Sequence, residues 1–175
     1  AIYDKYHLRP AGLLALLYQG RCYQELDDVD QALALFGELL EQTENSPVIR
    51  SLKTRALKSA LECWSDPSQK KFEPAIERGS AWVKQIRPNE ERDANWLALR
   101  LALAKTYHAG AKERQVKNRV DPFIKRHITN ARFQVKIVAR HPGPLQKEAR
   151  SLLAELGAKA AEDPSSLDPK TFVDA

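Results

Sequence analysis

The chain has 175 residues, 43% hydrophobic and 29% charged, with a formal net charge of +5. That length and balance suit one folded domain with a real core and exclude a chain too polar to fold. No apolar run approaches the ~18 residues a bilayer crossing needs, which excludes a transmembrane helix in this sequence.

Seven glycines beside abundant alanine and leucine favour helix over sheet. Over residues 10–26, Leu13, Leu16, Leu17, Gly20, Tyr23 and Leu26 follow the spacing of a helix with one buried face. Pro10 suits its first turn, where a missing N–H costs nothing. "LDDVD" interrupts the pattern, and Asp28 or Asp30 is placed to cap a second helix over 28–43, with Ala32, Phe36 and Leu39 inside. "TENSP" is a turn, with Ser46 as N-cap and Pro47 opening a third helix over 47–64. A fourth is predicted over 68–86, carrying Ala75, Gly79 and Trp82, and then "RPNEERD" breaks the pattern. The fifth, over 93–118, is the longest, with a break expected near Gly110. Asp121 and Pro122 open a sixth over 122–140, and a seventh over 143–157 ends on Gly157 as its C-cap. No segment alternates as a strand does, so the predicted class is all-α. Residues 1–157 form the predicted domain, and residues 158–175, with two prolines and no periodicity, a loose tail or linker.

Residues 16–36 read Leu16-x2-Gln19-Gly20-x2-Tyr23, then Ala32-x3-Phe36, with Pro47 following. The physical sense is that Gly20 and Ala32 let two helix backbones approach while Tyr23 and Phe36 fill the space between them. The stretch resembles the tetratricopeptide-repeat pattern, W-x2-L-G-x2-Y, then A-x3-F, then P. Leu16 and Gln19 depart from its tryptophan and leucine. A second unit is weaker, with Ala60 and Cys63 followed by Ala75-x3-Gly79. A third opens as Trp96-x2-Leu99, has Arg100 and Leu103 where the small residue and tyrosine stand, and continues as Ala131-x3-Val135. Ala32 to Ala75 is 43 residues and Ala75 to Ala131 is 56, so the units are longer than the family's roughly 34.

The resemblance implies a short α-solenoid of three helix pairs plus a capping helix. It further implies a non-enzymatic module that binds a protein or peptide partner, without a cofactor, in a concave groove lined by the first helix of each pair. Carried over residue by residue, the groove positions are Arg21, Gln24 and Lys105. Trp64, at the end of a first helix, is either core or a peptide contact, with core the preferred reading.

Catalytic and metal motifs are missing from the sequence. His7, His108, His127 and His141 fall in separate segments and are expected at the surface. Cys22 and Cys63 lack C-x-x-C spacing and read as small buried hydrophobes, with a disulfide between neighbouring helices the alternative. Charge is the more informative feature. Residues 112–140 hold nine basic residues against Glu113 and Asp121, a net +7 that leaves the remainder of the chain at −2. Lys125, Arg132, Lys136 and Arg140 share one face of the predicted sixth helix. A solvated face is the leading expectation, docking to an acidic protein or membrane headgroups comes next, and nucleic acid is the least favoured partner.

Overall fold

The computed structural model describes residues 9–157, and among these it is all-α. Seven helices follow one another: α1 (Pro10–Glu25), α2 (Val29–Leu40), α3 (Pro47–Ser65), α4 (Phe72–Val83), α5 (Ala94–Lys117), α6 (Pro122–Arg140) and α7 (Gln146–Glu155). A 3-10 turn at Pro88–Glu90 precedes α5. None of these helices is long and apolar enough to cross a membrane. The predicted tail over 158–175, and His7, lie outside the described residues.

Local chemistry sets most of the boundaries. Asp28 accepts from the Gln31 backbone N–H, Asp93 from those of Asn95 and Trp96, and Asp121 from that of Phe123. Each carboxylate thereby satisfies a donor the first helical turn leaves open. Gly157 follows α7 at φ +69°, the left-handed conformation of a helix stop.

Five expectations need correction. The fourth helix begins at Phe72, not near residue 68, because Asp66 accepts from the Ser68 N–H and Lys70 takes φ +48°. The Lys71 N–H then returns to the Trp64 carbonyl, holding the chain in a turn until α4 can start. α5 runs unbroken through Gly110, which is buried where a Cβ would lie 3.2 Å from the Phe72 Cβ. Leu26 lies past the end of α1 and is 75% exposed. Cys22 is exposed and Cys63 buried, both free, with burial pushing the Cys63 thiol up to about 11. His127 is buried, not a surface residue.

Consecutive helices pack against each other throughout the described residues. Paired side-chain contacts make α3–α4, α4–α5 and α5–α6 antiparallel: Thr54 meets Trp82 and Trp64 meets Arg78, Ser80 meets Tyr107 and Trp82 meets Trp96, and Arg100 meets Gln134 while Tyr107 meets His127 edge-on. α3 also packs on α1 and on α5. Those pairs are parallel, because Arg55 meets Tyr18, while Ser51 meets Asn95 and Ser65 meets Thr106. Two apolar clusters result, one around Leu16, Phe36 and Ile49, the other around Leu61, Trp96, Leu103 and Val135. Leu40 and Trp64 pack against both.

Most polar side chains inside are paired; among the described residues the Arg100 Nε and the His127 Nδ1 are buried without a partner. Arg50, 4% exposed, grips Glu90 with two 2.8 Å hydrogen bonds and donates to the Gln85 carbonyl at 3.0 Å. Its guanidinium lies 5.7 Å from the Trp82 ring centre and 5.4 Å from that of Trp96, two rings that stack 6.1 Å apart. Trp82 also donates to the Thr54 hydroxyl at 3.0 Å. These two tryptophans tie α3, α4 and α5 together from within.

Candidate binding face

The odd-numbered helices present the side chains that meet across parallel neighbours. At the α1–α3 junction Tyr18 is 49% exposed. Arg55 lies 5.5 Å over its ring and donates to its hydroxyl at 3.3 Å, while Arg21 lies 5.9 Å from the same ring. An aromatic ring with two guanidinium groups against it offers both a stacking surface and positive charge. One turn nearer the start of both helices lies a hollow of about 530 Å³, lined by Leu14, Val48, Leu52 and the flanking prolines Pro10 and Pro47. Its walls are mostly apolar, and Val48 is 55% exposed.

Further along, polar contacts replace the apolar ones. The Asn95 amide donates to the Ser51 hydroxyl at 3.0 Å, and the Ser65 and Thr106 hydroxyls are 2.9 Å apart. Between α5 and α7, Lys105 pairs with Glu148 at 2.5 Å and Lys112 with Glu155 at 2.8 Å. These exposed ion pairs add little stability, and their order along both helices shows α5 and α7 running parallel. His108 lines the same junction, and burial, aided by Lys112, holds its imidazole below its usual pKa.

The residues singled out from sequence do not meet at one point. Arg21 is exposed beside Tyr18, and Gln24 is half-buried one turn on. Lys105, on α5, is exposed and paired with Glu148, with α3 standing between its helix and α1. Trp64 is half-buried between the two apolar clusters, with Arg78 of α4 at 5.1 Å from its ring centre. Of the basic residues on α6, Lys125, Lys136 and Arg140 are exposed. Arg132 turns instead to the end of α7, donating to the Leu156 carbonyl from Nε at 2.8 Å and from Nη2. Sequence reasoning missed Tyr18 and Arg55. Tyr18 stands off the apolar stripe of its helix, and an aromatic at such a position is the signal that marks it.

Among the described residues no three His, Cys, Asp or Glu side chains gather as a metal site requires. No family model matches the chain, and no curated protein or solved structure is significantly similar to it.

Proposed function

We propose that this chain is a tetratricopeptide-like helical-repeat module that binds a segment of a partner protein across its odd-numbered helices. It acts by binding, not by catalysis. The observation that carries the reading is the parallel stacking of α1, α3 and α5, with α7 ion-paired to α5. Stacked helix pairs in which each unit touches only its neighbours leave one helix of every pair to form a common face. The fit of Phe36 against Gly20 supports the same reading, since a Cβ on Gly20 would lie 2.6 Å from the ring.

The partner segment is an extended or helical peptide with an apolar anchor for the hollow at Val48 and Leu52. An acidic or aromatic neighbour would meet Tyr18, Arg21 and Arg55. Panning a random peptide library against the folded chain tests this. The expected result is an enriched peptide whose affinity falls about tenfold or more in a Tyr18→Ala, Arg55→Ala variant, as at a binding hot spot. The same peptide should bind a Lys125→Glu, Lys136→Glu variant unchanged. The reverse outcome would return the function to the basic stretch 112–140 as a surface for nucleic acid or acidic partners. Its affinity would then drop steeply with salt.

A further inference from the structure

A second cleft, of about 710 Å³, opens where α4 and α6 flank α5. Ile76 and Ser80 line it from α4 and Lys84 from just past its end, Arg126 and Phe133 from α6, and Arg100 from α5. Arg100 is only 8% exposed. Its Nη1 donates to the Gln134 Oε1 at 2.6 Å, and that is its single hydrogen bond among the described residues. Nε is buried without a partner, while Nη2 is equally unbonded but keeps access to solvent.

The free edge of the guanidinium, Nε and Nη2, is the one that grips a carboxylate with two parallel hydrogen bonds. Arg50 shows the arrangement elsewhere in this chain, where Glu90 supplies the carboxylate through Nε and Nη2. Arg100 has no such acid. Glu91 is the carboxylate whose charge reaches it, and burial outweighs that charge, so the guanidinium is held below its usual pKa. A buried charge without its counter-charge is strongly unfavourable, and an incoming anion would relieve it. The other charged residues lining the cleft are Lys84, Arg126 and Glu77, none in an ion pair among the described residues, so the lining carries a net positive charge. Ile76 and the 60% exposed Phe133 add apolar surface.

We propose that this cleft binds an organic carboxylate, which meets the solvent-reachable Nη2 of Arg100 first and takes up Nε as the side chain turns toward the cleft, with its apolar body against Ile76 and Phe133. A free carboxylic acid and a glutamate side chain in a peptide present the same group.

The test is a nitrogen-detected NMR titration of the full chain, following the Arg100 Nε–H and the amides of α4 and α6. The probes are phenylacetate, its neutral analogue phenylacetamide, inorganic phosphate, and a blocked tripeptide whose one charge is a glutamate. Phenylacetate or the tripeptide should move the Arg100 resonance, and phenylacetamide should not. A response to phenylacetate alone assigns the cleft to small acids, and a response to the tripeptide alone assigns it to a peptide. Arg100→Gln should weaken binding about tenfold or more, as losing a bidentate ion pair does. Asn130→Trp should do the same by filling the cleft while leaving Arg100 in place, and it decides the matter if Arg100→Gln does not fold. The proposal is overturned if neither carboxylate moves the resonance, if phenylacetamide moves it equally, or if phosphate binds more tightly. Binding that survives Asn130→Trp in a folded protein overturns it as well.

Discussion

Gly20 and Gly37 stand on paired helices and answer opposite demands. A Cβ on Gly20 would lie 2.6 Å from the fully buried Phe36 ring, whereas one on Gly37 would meet nothing within 4 Å. Alanine in a helix gains ~1 kcal/mol over glycine. Gly37→Ala is therefore expected to stabilise the protein by up to about 1 kcal/mol. Gly20→Ala adds an overpacking cost of about 1–3 kcal/mol and should be destabilising by up to about 2 kcal/mol net. Urea unfolding of the two variants separates the cases; equal stabilisation would mean the ring moves aside freely. His127 makes a residue-scale prediction about pH. Burial is the main cause that holds its pKa below 6.5, with Arg114 and Arg126 adding to it and Glu73 and Asp121 opposing. Between that lowered value and 6.5 the unfolded chain binds a proton that the folded chain does not, so stability falls as pH drops through this window. His108 has a shift of the same sign. His127→Phe should thus reduce, without abolishing, the loss of stability between about pH 7 and about pH 5. An unchanged slope in denaturation at both pH values would exclude His127 as its source.

Arg132 shows how a side chain read as surface charge becomes part of an element's end. It donates to the last carbonyl region of α7 at Leu156, next to Gly157, where helix carbonyls have no partner of their own. A charged hydrogen bond of this kind is worth about 1.5–3 kcal/mol. Arg132→Met should therefore speed amide exchange in α7 about tenfold or more while leaving α1 to α3 unchanged. Equal exchange in α7 would show that its apolar contacts, Leu152 and Leu153, hold it alone. The helices themselves were legible because apolar spacing, proline at the first turn and aspartate caps are local signals, read within a few residues. α4 begins later than its apolar spacing predicts because Asp66 accepts from the Ser68 N–H and closes a turn first. Contacts between distant segments left no such trace. Arg50 and Glu90 lie 40 residues apart, and no spacing rule joins them. Arg100 was visible only as a departure, an arginine in the third unit where the first has Gly20. Its open edge and the cleft above it depend on where α4 and α6 come to rest.

At the scale of the molecule, the packing divides into two apolar clusters that share few side chains. Leu16, Phe36 and Ile49 belong to the first, Leu103, Val135 and Leu153 to the second, and Leu40 and Trp64 touch both. If each helix pair is stabilised mainly by its neighbours, as the repeat reading proposes, cooperativity along the chain rests on these few bridging contacts. Phe36→Ala should then cost about 3–5 kcal/mol, with the loss of exchange protection concentrated in α1 and α2. Trp64→Ala tests the link itself. The ring is half-buried, so the stability cost should fall near the low end of the same range, about 3 kcal/mol. The more telling effect is on the shape of unfolding. With the bridge shortened, α1 and α2 should lose exchange protection at a lower urea concentration than α5 and α6, giving two steps where one is expected of the intact chain. A single transition displaced equally in every helix would show that the packing of α3 on α5 couples the clusters by itself. In that case the stack behaves as one cooperative body, and Trp64 contributes contact area and no more.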